Sequence, residues 1–158
     1  MRVYIASPFF NDRQKNNVEA IRNRLLTQPD IFDVYSPMHD GILLTKTSSE
    51  RALNITYSEN IGELTRSDLV IVIMDRDEVY GYDTGTVWEQ GYASALGKPI
   101  LIYIPKGSKL NAMLIAGAKG YTDDPLRIIQ LIYDVVIRQG VFKKSDYILS
   151  DSVREEIG

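Results

Sequence analysis

Short, nearly continuous apolar runs alternate along this chain with longer stretches in which apolar residues recur at helical spacing. Residues 2 to 6 (Arg-Val-Tyr-Ile-Ala), 68 to 74 (Asp-Leu-Val-Ile-Val-Ile-Met) and 100 to 104 (Ile-Leu-Ile-Tyr-Ile) form the first group. Runs of this length read as strands covered on both faces, as in a parallel sheet. A shorter run from Ile31 to Tyr35, closed by Pro37, and a brief one from Lys119 to Tyr121 add a second and a fifth strand. Ser7-Pro8 ends the first strand, because proline cannot continue a central one.

Helical spacing fills the intervals. Asn11 or Asp12 caps a helix running to about Thr27, with Val18, Ile21 and Leu25 on one face. Residues 51 to 66 repeat the pattern with Leu53, Tyr57, Ile61 and Leu64. A helix opening near Gly85 runs to Leu96, where Gly97-Lys98-Pro99 supplies the usual glycine-then-proline stop. Leu110 to Ala116 predicts a short helix, and Asp123-Asp124-Pro125 opens an apolar one over Leu126 to Arg138. Residues 38 to about 50 read as a long polar loop, a length often associated with lids or interface arms. Residues 139 to 158 carry no clear pattern.

This alternation predicts an α/β fold. It is a doubly wound, five-stranded parallel sheet of flavodoxin-like order, with helices on both faces and residues 1–158 as a single domain. Ligands of such sheets bind beyond the carboxyl ends of the strands. That directs attention to Tyr82-Asp-Thr-Gly-Thr-Val-Trp-Glu-Gln-Gly-Tyr-Ala93, which follows the third strand. Glu89 shares a helical stripe with Gly85, Ala93 and Leu96, while Gln90, Ser94 and Lys98 fall on a more polar side. A lone carboxylate on a small, apolar stripe is either a working group or a cap. Thr86-Val-Trp-Glu89 fits a capping box, and Asp83 fits a turn or N-cap position.

Composition narrows the chemistry. The 158 residues are 44% hydrophobic and 25% charged with a net charge of −3, ordinary values for a globular protein. No basic block suggests nucleic-acid binding. The absence of cysteine excludes thiolate nucleophiles and thiolate metal sites, and His39 is the only histidine, so no metal site is expected. No signal peptide is expected before the first strand, and no apolar stretch approaches the about 20 residues that span a bilayer. A cytoplasmic location, without membrane partners, is the expectation. Phosphate-loop, dinucleotide and nucleophile-elbow glycine motifs are missing. What remains beside the strand ends is Tyr4, Asp83, Glu89 and Asn111, carboxylates with a hydroxyl and an amide. Such groups suit chemistry at a glycosidic carbon, where one carboxylate attacks an oxocarbenium-like centre.

With these residues in view, the chain resembles the nucleoside 2-deoxyribosyltransferases over roughly residues 2 to 117. The resemblance rests on Val3-Tyr-Ile-Ala-Ser-Pro-Phe-Phe10 with Asp12-Arg13-Gln14, and on Ser67-Asp68-Leu69-Val70. It rests also on Asp83-x-Gly85-Thr86-x-x-Glu89-x-Gly91-Tyr92-Ala93, Gly97-Lys98-Pro99 and Asn111-x-Met113. It implies transfer of a 2-deoxyribosyl group between purine or pyrimidine bases through a covalent glutamyl ester. Glu89 would be the nucleophile, Tyr4 its hydrogen-bonding partner, and Asp83 a ligand of the sugar hydroxyls. Ser7, Phe9, Asp12, Asn60 and Gly85 would contribute to substrate binding. Asn111 and Met113 would reach a neighbouring subunit's site, so a homo-oligomer, dimer or hexamer, is implied. The partners are deoxynucleosides and free nucleobases, no cofactor takes part, and nucleobase salvage is the natural setting.

Three departures stand out. Asn60 occupies a position where the family often has an aspartate near the base, and Gly41 falls where some members place a base-reading glutamine. The tail beyond residue 139 does not resemble the family's end. Two rival readings follow: a glycosidase that gives the same ester to water, and a nucleotide-binding module in which Glu89 is only a cap.

Overall fold

In the computed structural model, residues 1–42, 44–45, 48–106 and 108–137 are described. The tail expected at 139 to 158 and Arg138, the expected end of the last helix, lie outside the described residues. The sheet has five parallel strands in the order β2-β1-β3-β4-β5. They are β1 (Arg2–Ala6), β2 (Asp33–Tyr35), β3 (Leu69–Ile73), β4 (Ile100–Tyr103) and β5 (Gly120–Thr122). The order reverses between β1 and β3, so their carboxyl ends flank the crevice where a doubly wound sheet takes its ligand.

Side-chain alternation sorts the sheet into two faces. Val3, Ile5, Leu69, Ile71 and Ile73 point towards α1 (Asp12–Leu25), whose Val18, Ile21 and Leu25 are all fully buried. Burying three such side chains contributes roughly 1.5–3 kcal/mol each. Tyr4, Ala6, Val70, Val72 and Met74 point the other way, into a core with Leu64, Ala93 and Ile115. The last three come from α3 (Glu50–Arg66), α4 (Thr84–Ala95) and α5 (Ala112–Ala116). Tyr4 therefore shares a face with α4.

Several boundaries differ from the sequence expectation. The second strand starts at Asp33 instead of Ile31. A short helix, α2 (Pro37–Asp40), occupies the start of the expected loop, with proline at its first turn. The last helix begins as α6 (Arg127–Leu131) and continues as a π-helix over Ile132–Ile137. The apolar face expected on α3 is barely buried. Leu64 is its only buried residue, and Leu53 and Tyr57 are 50% and 58% exposed. The helix packs at its carboxyl end, while Thr56 and Asn60 face a cavity. Gln90, expected on the polar side of α4, is buried and donates through Nε2 to the Leu114 carbonyl at 2.7 Å.

Candidate active site

A cavity of about 580 Å³ opens at the β1–β3 crevice, within the size range of small-molecule sites. Ser7, Phe9 and Phe10 line it from the β1–α1 connection, and Asp83, Gly85, Thr86 and Glu89 from α4. Thr56 and Asn60 of α3, Lys15 of α1, and Pro37, Met38 and Gly41 close the other side. A wider trough of about 720 Å³ is lined by α3 residues alone. It is the outer flank of one helix and holds none of the groups beside Glu89.

The cap of α4 is Asp83. Its carboxylate Oδ2 accepts from the Thr86 amide and the Thr86 hydroxyl, each at 2.7 Å. This arrangement satisfies one of the orphan donors of the first turn. The capping box proposed around Thr86 and Glu89 is not formed, because the helix begins at Thr84 and places Glu89 in its second turn. Gly85 eases a tight approach: a Cβ there would lie 3.2 Å from Asp83 Oδ2 and would press on the capping carboxylate. At Gly91 a Cβ would meet nothing within 4 Å, so no steric need accounts for the second glycine.

Released from capping, Glu89 turns to the sheet. Tyr4 Oη donates to Glu89 Oε1 at 2.6 Å, joining residues 85 apart in sequence. Burial raises the Glu89 carboxyl from the usual value near 4.5 to about 7. The Asp83 charge adds to that rise, and the Tyr4 hydrogen bond opposes it. Burial first, then the Glu89 charge, pushes the Tyr4 phenol far above its ordinary value, so it stays a donor. The result is a carboxylate poised near neutrality, with one oxygen held by a phenol and the cavity beside it. Such a group can attack an electrophilic carbon.

Around this pair the cavity is apolar on its flanks. Phe9 and Phe10 are stacked at 5.6 Å. Gln14, itself buried, fixes the Phe10 amide at 2.9 Å, and Asn11 caps α1 by accepting from the Gln14 amide. Arg13 pairs with the buried Asp75 at 2.8 Å, while Asn17 donates to the same carboxylate. The contacts to Asp75 tie α1 to the loop after β3. Burial raises the Asp75 carboxyl, against the opposing hydrogen bond from Asn17 and the charge of Arg13.

The structure thus brings Tyr4, Asp83, Glu89, Ser7, Phe9, Asn60 and Gly85 to one place, Tyr4 through its bond to Glu89. Asp12 does not join them: it is exposed in the first turn of α1 and does not line the cavity. Asn111 caps α5 by accepting from the Met113 amide at 2.8 Å, and Met113 is 81% exposed. Neither lines the cavity of its own chain. Sequence reasoning passed over Thr56, Tyr35 and Lys15. The i, i+4 spacing of Thr56 and Asn60 was available as a signal, but the apolar stripe of α3 concealed it. No helix among the described residues is long and apolar enough to cross a membrane, and none of them form a group of three potential metal ligands.

Comparison with known proteins matches residues 3–139 to a family model described as nucleoside 2-deoxyribosyltransferase. A nucleoside deoxyribosyltransferase of Limosilactobacillus fermentum is 25% identical over 109 residues. That match spans 64% of this chain and 63% of the relative's length. The structure of a 2-deoxyribosyltransferase from Bacillus psychrosaccharolyticus is similar with a TM-score of 0.67 at 27% identity, covering 81% of this chain and 90% of the other. A CMP N-glycosidase from Clostridium botulinum shares the fold, with a TM-score of 0.52 at 18% identity over 84% of this chain and 98% of its own.

Proposed function

Because the chain belongs to the nucleoside 2-deoxyribosyltransferase family, we propose that it exchanges the base of a 2′-deoxynucleoside by double displacement at Glu89. In the first step a Glu89 carboxylate oxygen bonds to C1′. The C1′–N bond breaks and its electron pair leaves on the base. In the second, a nitrogen of the incoming base bonds to C1′ as its N–H proton passes to solvent, matching the proton the departed base takes from solvent, and the C1′–O bond breaks to return the carboxylate. The observation that carries this reading is the Tyr4–Glu89 pair at the cavity wall. Its phenol bonds one oxygen of a carboxylate whose burial would otherwise favour the proton. Asp83, held by Thr86, is placed to accept from sugar hydroxyls, and Gly85 leaves the sugar room beside it.

A second copy of the chain would bring Asn111 and Met113 to this cavity. The 81% exposure of Met113 supports that arrangement. So does the exposed aromatic surface in which Trp88 packs on Tyr92 at 5.3 Å and on Tyr57 at 5.8 Å.

Mass spectrometry of acid-quenched protein with deoxyinosine tests the proposal. Wild type gains the mass of one deoxyribosyl group and makes deoxyadenosine when adenine is added. Glu89→Ala, folded by circular dichroism, shows neither. An unlabelled wild type overturns the covalent route, and accumulation of free deoxyribose without new nucleoside shifts the assignment to hydrolysis.

A further inference from the structure

The side of the cavity facing Glu89 carries polar groups that bond formation at C1′ does not use. Thr56 and Asn60 stand one turn apart on α3 and both line it, with Lys15 of α1 lining it too. Thr56 Oγ1 is buried without a hydrogen-bond partner. Asn60 is held from behind, since Tyr35 Oη donates to its Oδ1 at 3.0 Å. The Tyr35 ring is itself fixed on β2, stacked on Tyr4 with centroids 5.5 Å apart and planes 20° from parallel. Burial and the charges of Glu59 and Glu63 push the Tyr35 phenol up to about 12, so it remains a donor at neutral pH.

This arrangement fixes which half of the amide meets a ligand. A free asparagine pairs with adenine by accepting from N6 and donating to N7. With Oδ1 turned to Tyr35, which does not itself line the cavity, Asn60 presents its NH2, and the acceptor half of that pairing is aimed away from a ligand. Lys15 can only donate, the pattern that suits the O6 and N7 acceptors of a 6-oxopurine. Gly41 brings no side chain to change the pattern, and a Cβ there would lie 2.6 Å from the Pro37 carbonyl oxygen. Asn60 has no acid proton to give the departing base. That base leaves as an anion when C1′–N breaks, and a 6-oxopurine spreads the charge over O6 and the ring nitrogens, where donors meet it.

We infer that Asn60 and Lys15 form a donor edge selecting 6-oxopurine bases over adenine, with Asn60 the specificity-determining residue, Tyr35 the positioning residue behind it, and the Thr56 hydroxyl a neighbour that adapts to the base it meets. The inference rests on the base-exchange reading above and names the substrate class of the same site.

Its test compares deoxyinosine with deoxyadenosine as deoxyribosyl donors to guanine. Wild type favours deoxyinosine at least tenfold in kcat/KM. Tyr35→Phe keeps the ring on Tyr4 but frees the amide to turn; the preference falls towards unity through a higher KM for deoxyinosine, with kcat changing less. The pH at which turnover is half-maximal does not move, as it would if the loss of the hydroxyl disturbed the Tyr4–Glu89 pair. Asn60→Asp restores an acceptor and raises turnover of deoxyadenosine relative to deoxyinosine. Equal use of both donors by wild type, or an unchanged ratio in Tyr35→Phe, overturns the donor edge while leaving base exchange standing. A wild type that exchanges neither overturns the exchange reading. Calorimetric titration with free hypoxanthine and adenine then decides the edge alone, and equal affinities overturn it.

Discussion

Around Glu89 the polar groups are tied to one another: Tyr4 Oη to Glu89 Oε1 at 2.6 Å, and the Thr86 amide and hydroxyl to Asp83 Oδ2 at 2.7 Å. Across the cavity, on α3, the Thr56 hydroxyl has no partner, and Asn60 is anchored only through its carbonyl. The first region sits on strands and a packed helix, with Tyr4 fully buried. The second sits on a helix with a single buried residue, Leu64. Groups that must hold a reacting atom are preorganised by bonds the protein makes to itself. Groups that read a ligand keep donors and acceptors in reserve, because a buried polar atom without a partner is costly until something satisfies it.

The largest effect expected from breaking this contrast is at Glu89. Its carboxyl is raised in the folded protein, so folding favours the protonated form. The stability that form confers is present below the unfolded value near 4.5 and is lost as pH rises through about 7. Glu89→Gln, neutral at every pH, therefore loses exchange completely but gains stability at pH 8, by about 2 kcal/mol after allowing for solvent reaching the cavity. Its melting temperature exceeds that of wild type by several degrees at pH 8 and matches it at pH 4. A variant less stable than wild type at pH 8 would show that the carboxylate is well solvated.

Tyr4→Phe is next. The lost hydrogen bond lowered the Glu89 pKa, so its removal raises it. A bond to a charged group contributes roughly 1.5–3 kcal/mol, so the acid limb of the rate profile, expected near pH 7 in wild type, moves up by about one unit or more. Turnover at pH 7 falls about fivefold or more in consequence, with recovery at higher pH. An unmoved limb would mean that Tyr4 only fills space.

The smallest effect belongs to the reading side. Thr56→Val removes a hydroxyl that has no partner in the protein, so thermal stability does not fall. The KM for the nucleoside rises by about fivefold, the value of one neutral hydrogen bond of about 1 kcal/mol. Destabilisation without a change in KM would place Thr56 in the fold instead of the cavity edge.

Much of the framework was legible in the chain. Continuous apolar runs at 68 to 74 and 100 to 104 read as buried strands, the Asn11 or Asp12 cap resolved to Asn11, and the Gly97-Lys98-Pro99 stop marked a helix end. The small stripe beside Glu89 was equally visible. The α3 face failed for a definite reason: periodicity records which residues share a side, not what that side meets. Leu53 and Tyr57 recur at the right interval and remain exposed.

Sequence alone therefore determined the alternation of the main strands and helices and the parallel sheet, and singled out the odd carboxylate, because these follow from local spacing. Tertiary structure decided what the carboxylate touches. Alternation puts Tyr4 and Ile5 on opposite faces of β1, but only the packing of α4 tells which face receives Glu89. Asp83 and Glu89 both fitted a cap, and the start of the helix at Thr84 gave that role to Asp83. The amide of Asn60 likewise has two ends, and a hydroxyl from a strand 25 residues earlier selects the one that meets the cavity. The first and last of these choices depend on contacts between residues far apart in sequence, Tyr4 with Glu89 and Tyr35 with Asn60, which no local pattern encodes.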